Sequence, residues 1–384
     1  MARYQGQTPP QDPVISAKLS HTSGLNSAPL CALSYAFLSL TPSGDAPSPW
    51  LALGAFIGLP LALWVYKCIM LVLFQRKIIY MGYVPLDARS QELNKDISPA
   101  KGIKCEEILI NGERNIRLYG ILVRRDSVPP SEQQPKAVIV YFQGNAGNPL
   151  GRLPLWERLI LGTSLSPGFS QPQSVLDSTA ILAIAPRSYW KSTKKTPTER
   201  GIISDYLSAL NYASLRFPST PIILYGHSLG GAAAVCLSAQ VKSGAFPHVQ
   251  GLILENPFAS IPWMVKALYP QKWLPYHYLG GFAFDKWDAL SAMRDVREGK
   301  LLDRLRRDVL VVLSQKDEIV PNEMGKALYE AAQTGSSSEK SGQEPGSGHM
   351  VNIPSALHDN AWTVRQWRRE MELYILSRTS KMNN

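Results

Sequence analysis

The polarity pattern of the chain is dominated by one long apolar run. From Trp50 to Phe74 nearly every position is apolar, with Lys67 the single charge. A helix rising 1.5 Å per residue over that length crosses a hydrocarbon core of about 30 Å, and the run has no polar face that would hold a helix at a surface. Residues 50–74 are therefore expected to form a transmembrane helix whose partner is the lipid bilayer, kinked at Pro60. Residues 1–49 are rich in Pro, Ser and Thr and almost uncharged, which predicts a disordered tail. Beyond residue 75 short β-branched runs alternate with helix-forming stretches. Residues 105–110 and 116–123 read as antiparallel strands around an Asn111-Gly112 turn. The runs 138–142, 180–185, 221–225, 252–254 and 309–313 read as further strands, several apolar throughout, as strands buried on both faces are. Helices are expected over 153–161, 202–215 and a closing stretch where Val364, Trp367, Met371, Tyr374 and Ile375 recur at helical spacing. This alternation predicts an α/β fold with a mostly parallel, doubly wound sheet.

The run at 221–225 leads into Gly226-His227-Ser228-Leu229-Gly230-Gly231 and then into Ala232-Ala233-Ala234. A strand, a Gly-x-Ser-x-Gly and a helix in that order is what a nucleophile elbow requires, because only small neighbours allow a serine in so tight a turn. A serine hydroxyl needs a base, and the base needs a carboxylate to orient it. In this arrangement the chain order is Ser, acid, His. Asp317 follows the strand at 309–313, and His349 follows in the small-residue turn Gly346-Ser347-Gly348. The expected catalytic set is Ser228, Asp317 and His349, with Glu255 the alternative acid and His358 the alternative base. His227, inside the elbow, is expected to be structural. Two N–H donors must face the developing oxyanion: Leu229 supplies one and Asn145, in Gln143-Gly144-Asn145-Ala146-Gly147-Asn148, the other.

Length and charge constrain partners. A chain of 384 residues, 45% hydrophobic, holds one large domain, here 75–384, plus an anchor. The net charge of +10 comes without a basic run or an aromatic-interleaved RNA-binding motif, so nucleic acid is not an expected partner. The four cysteines, Cys31, Cys68, Cys105 and Cys236, have neither metal-type nor disulfide-framework spacing. No metal or cofactor is expected, the thiols read as reduced, and Cys236 is expected to pack beneath the elbow. No Asn-x-Ser/Thr sequon occurs. Arg76, Lys77 and Arg89 follow the apolar run whereas residues 30–49 carry no Lys or Arg, which predicts a single-pass protein with its large domain in the cytosol.

The anchor followed by Phe74-Gln75-Arg76-Lys77-Ile78-Ile79-Tyr80, the Gln-Gly-Asn-Ala-Gly-Asn loop, the elbow, Glu255-Asn256-Pro257-Phe258-Ala259-Ser260-Ile261-Pro262 and Asp317-Glu318-Ile319-Val320-Pro321 together resemble the fungal bud-emergence family of membrane-anchored α/β-hydrolases. That family is related to animal α/β-hydrolase-domain proteins and serine-aminopeptidase-like hydrolases. The resemblance implies an α/β-hydrolase fold and a serine hydrolase acting on esters, thioesters or amides. Three departures stand out. Gln143 replaces a usual His, and residues 186–192 replace a glycine-rich loop, predicting a bulkier pocket rim. Residues 333–348 lack the apolar strand that normally leads to the catalytic histidine.

Nine aromatics between Phe258 and Trp287 predict a cap, about residues 256–300, with an apolar lining suited to an acyl chain. The leading expectation is an esterase or thioesterase for a lipid-like small molecule or an acylated protein. A non-catalytic interaction protein is the second class. An aminopeptidase is the third, and it lacks an acidic cluster to hold a substrate amine.

Overall fold

In the computed structural model the chain is described over residues 48–126, 134–162, 174–334 and 347–380. Nearly all of the tail expected at 1–49 lies outside these residues. Helix α1 (Pro49–Leu73) is 25 residues long with no buried side chain and continues through Pro60 without interruption. The compact units divide between Ala62 and Leu63. The first is described only as helix; the second carries everything that follows.

Eight strands form one sheet, β1 (Ile103–Asn111), β2 (Arg117–Arg125), β3 (Ala137–Phe142), β4 (Thr179–Ile184), β5 (Ile222–His227), β6 (Val249–Glu255), β7 (Leu310–Ser314) and β8 (His349–Ile353), in the order β1-β2-β4-β3-β5-β6-β7-β8. The pairs β1·β2 and β2·β4 are antiparallel and all others parallel. Residues of β3, β4, β5 and β7 are buried throughout, because helices cover both faces of a parallel sheet. Helices α3 (Leu153–Leu161) and α10 (Arg365–Ser380) make one covering group. The second consists of α4 (Glu199–Arg216), α5 (Leu229–Gln240), α7 (Ala289–Arg294), α8 (Leu301–Leu305) and α9 (Asn322–Gln333). Short helices α2 (Gln75–Ile79) and α6 (Ile261–Leu268) lie outside these layers.

Two details depart from the sequence pattern. The β1–β2 hairpin does not turn on Asn111-Gly112. Asn111 pairs with Arg117, so the connection spans residues 112–116, with Arg114 and Asn115 in the left-handed region at φ 54° and 61°. Ile116 is buried, and burying it draws the chain past the tighter turn. The second departure decides the site: a last strand does exist, and it begins at His349.

Candidate active site

Ser228 stands between β5 and α5 at φ 55°, ψ −118°, a backbone state that costs a non-glycine residue on the order of 1–3 kcal/mol. Neighbouring hydrogen bonds hold it there: its N–H donates to the Glu255 carbonyl at 2.9 Å, and its own carbonyl accepts from Gly231 N–H at 3.0 Å. The turn is possible because of close backbone approach. A Cβ on Gly230 would lie 1.8 Å from the Phe142 carbonyl oxygen, and one on Gly226 2.4 Å from that of Gly230.

Asp317 follows β7. Its Oδ1 accepts the N–H groups of Ile319 and Val320 at 2.9 and 2.8 Å, while Oδ2 lies 2.8 Å from Nδ1 of His358. Both side chains of this pair are buried. A carboxylate can only accept here, so Nδ1 carries the proton and Nε2 is left as the basic nitrogen. His358 and Ser228 line the same cavity.

His349 is elsewhere. It pairs with Leu310 at the first residue of β7, whereas Asp317 follows the last, so about 13 Å of strand at 3.3 Å per residue separates the two ends. Its ring is half-exposed, with Nε2 3.4 Å from a Glu370 carboxylate oxygen. The expectation for His349 is therefore corrected: the histidine that meets Asp317 is His358, the alternative. The signal was Met350-Val351-Asn352-Ile353, a short strand between Gly348 and Pro354, with the next histidine in the loop before the closing helix. The polar stretch ahead of it hid that strand. Glu255, the alternative acid, bonds to Tyr225 Oη and Trp367 Nε1 instead, and burial raises its pKa.

His227 proves to be a brace. Its Nε2 donates to the His358 carbonyl at 3.0 Å, its Nδ1 accepts from the Arg152 guanidinium at 3.2 Å, and Asn256 Nδ2 donates to the same His358 carbonyl at 2.8 Å. Burial, then the charges of Arg152 and His358, push the His227 pKa well below its ordinary value. Arg152 also donates to Asp359 at 2.7 Å. Burial alone would raise the Asp359 pKa, but Arg152 and His227 bring it below the usual range. His227, His358 and Asp359 offer ligand atoms within 4.8 Å of one another. Both ring nitrogens of His227 are engaged, by Arg152 and by the His358 carbonyl, and the Arg152 guanidinium also holds Asp359, so a cation there would meet a fixed positive charge and a set with two of its three donors taken.

Leu229 is the first residue of α5, where an N–H has no partner within the helix and the helix dipole is positive. Asn145 lines the cavity with it. Its carbonyl accepts from Met81 N–H at 2.7 Å and Tyr189 Oη at 2.9 Å. Tyr189 thus ties residues 186–192 to the loop that carries Asn145; none of the seven lines the cavity, whose rim they were expected to form. The replaced histidine, Gln143, is buried and its N–H donates to Tyr206 Oη at 2.9 Å. Cys236 is buried within α5, and Cys68, Cys105 and Cys236 are free thiols.

The cavity measures about 530 Å³. Its cap side is mainly aliphatic, with Ile261, Met264, Val265 and Leu268 from α6, and its far wall includes Leu71 and Val72 from the end of α1. Of the nine aromatics expected to line it, Phe258 and Tyr269 do, whereas Trp287 is buried and bonded to Tyr80 Oη at 2.9 Å.

Comparison with known proteins agrees with this fold. Residues 153–363, more than half the chain, match the profile of the alpha/beta hydrolase family. The chain is 26% identical to protein bem46 of Schizosaccharomyces pombe over 65% of its length and 71% of that protein. It is 31% identical to the lysophosphatidylserine lipase ABHD12 of Danio rerio over 53% of its length, and 30% identical to human protein ABHD12B over 51%. The match spans about half the length of those last two, 49% in each. Among solved structures, an esterase from Pyrococcus furiosus superposes with a TM-score of 0.50 at 14% identity, over 72% of this chain and 92% of that one. The chain belongs to the alpha/beta hydrolase family, with bem46 and the ABHD12 proteins among its relatives.

Proposed function

We propose that the protein is a membrane-anchored serine hydrolase that cleaves the carboxylic ester of a single-chain lipid, with α1 as its anchor and its large domain on the cytosolic side. The carrying observation is the Asp317–His358 bond of 2.8 Å beside a serine elbow that opens on the same apolar cavity. His358 Nε2 takes the Ser228 hydroxyl proton as Oγ attacks the ester carbonyl. The N–H groups of Leu229 and Asn145 receive the oxyanion, and His358 returns the proton to the departing alcohol. Water, deprotonated by the same imidazole, then releases the fatty acid from Ser228. A cavity of this size is in the range that buries one drug-sized ligand, and the lysophosphatidylserine lipases among its relatives make a lysophospholipid the first substrate to test. Asp359, the carboxylate on the lining, is already paired with Arg152, which weighs against holding a substrate amine as an aminopeptidase would.

The test is fluorophosphonate labelling and lysophospholipid hydrolysis by the full chain. Ser228→Ala, Asp317→Asn and His358→Gln are each expected to lower turnover by about 10³-fold or more, whereas His349→Ala stays within about 2-fold. Labelling that survives Ser228→Ala, or a His349 variant as inactive as the His358 one, overturns the assignment.

A further inference from the structure

Four large side chains of the cap, Trp273, Tyr278, Phe282 and Phe284, point outward, between 58% and 71% exposed. Soluble surfaces rarely gather apolar groups of this size in one patch. Trp273, Phe282 and Phe284 gather here around the end of α1 and the start of α2. Trp273 meets Trp64 with ring centroids 6.1 Å apart. The Phe282 carbonyl accepts from Gln75 Nε2 at 3.2 Å, the Phe284 N–H donates to Gln75 Oε1 at 2.7 Å, and Arg76 stacks over the Phe284 ring at 5.5 Å. Phe74 and Ile78, also exposed, extend the patch.

Charge points the same way. Residues 46–86 and 256–284 contain Lys67, Arg76, Lys77, Lys266 and Lys272; Asp285, next in the chain, pairs with Arg76 at 2.9 Å, which leaves the lysines as the excess positive charge. Lys67 Nζ lies over the Tyr276 ring at 4.6 Å and Lys77 Nζ over Phe74 at 5.3 Å. Aromatic rings interleaved with lysines and arginines form the belt that settles at a bilayer's headgroup level, where an anionic leaflet attracts basic groups by about 1 kcal/mol each.

The cavity opens on this surface. Ile78 and Leu268 line it and are also half-exposed or more, which sets them at its rim. We infer that the outer cap face, Trp273, Tyr278, Phe282 and Phe284 with Phe74 and Ile78, is seated in the bilayer leaflet that α1 enters. The acyl chain then passes from that leaflet over Ile78 and Leu268 to Ser228 without crossing water. This inference rests on the membrane-anchored reading of α1 and on the esterase reading above.

The test uses the full chain, with Cys31, Cys68 and Cys105 changed to Ser, in vesicles containing brominated phosphatidylcholine and a fifth of phosphatidylserine. A fluorophore on Phe282→Cys or, separately, on Trp273→Cys is expected to be quenched at least twice as strongly as one on Leu215→Cys. Leu215 is an exposed residue at the end of α4 that leads into β5, the sheet edge opposite Ser228. Equal quenching overturns the inference, as does quenching lost when the protein is diluted, which would mean a second copy covers the face. In parallel, Phe282→Asp with Phe284→Asp should lower hydrolysis of a vesicle-embedded long-chain ester about 10-fold and leave a water-soluble butyrate ester within 2-fold. Equal effects on both esters count against the inference. If Ser228→Ala leaves both activities intact, the proposed function fails while the quenching still decides the membrane surface.

Discussion

His358 is fixed on every polar side but one. Its N–H donates to Glu318 at 3.0 Å, its carbonyl accepts from His227 and Asn256, and Nδ1 faces Asp317; only Nε2 remains for chemistry. Replacing Asn256 by Ala removes a donor to that carbonyl and the acceptor of Ser314 N–H, bonded at 2.7 Å. An unpaired buried polar group costs about 1–3 kcal/mol, so Asn256→Ala should lower stability by that order in a urea titration. His227 adds a pH dependence. Its pKa is depressed in the native state, so its contribution is complete above about pH 6.5. It is lost below that pH by about 1.4 kcal/mol per unit, because the unfolded chain takes up a proton that the native state refuses. Glu255 has the opposite sign, since its raised pKa adds stability as pH falls. The difference in unfolding free energy between wild type and His227→Asn, followed from pH 8 to 5, isolates the first effect; an unchanged difference refutes it. The places of Ser228 and Leu229 in the strand-to-helix turn, of Asp317 after β7 and of Asn145 on the cavity wall were legible because each is tied to a turn with strict local chemistry. The histidine was not, because its position depends on the register of β8 against β7, which sequence spacing does not encode.

The elements follow the same division. Strands β3, β5 and β7 and helices α3 and α10 were readable from continuous apolar runs and helical spacing, which burial in a doubly wound sheet imposes directly. The edge strand β8 was not. Its residues are only partly buried up to Ile353, so the hydrophobic signal is weak where the sheet has a neighbour on one side alone. At the elbow the constraint is steric. Gly230→Ala, whose Cβ would strike the Phe142 carbonyl at 1.8 Å, should abolish fluorophosphonate labelling and lower the thermal midpoint by several degrees. Gly151→Ala, with nothing within 4 Å of its Cβ, should change neither. A labelled, wild-type-like Gly230→Ala would mean the strand-to-helix turn is looser than described.

For the whole molecule, the apolar run and the domain after it were separable in the sequence, but the reach of the run's last turn into the cavity of the second unit was not. Leu71 and Val72 belong to the helix read as an anchor, yet they line the chamber that holds Ser228. Val72→Trp is expected to lower hydrolysis of long-chain esters about 10-fold while butyrate esters stay within 2-fold. Equal loss on both would mean that wall does not meet the acyl chain. The Gln75 amide, bonded to Val72, Phe282 and Phe284 at once, couples the end of α1 to the cap. An embedded helix answers hydrophobic mismatch by tilting. On the membrane-anchored reading proposed above, an amide that ties such a helix to the cavity wall is expected to make turnover respond to the acyl length of the surrounding phospholipids, a sensitivity that Gln75→Ala should flatten across a series of vesicles made from progressively longer lipids.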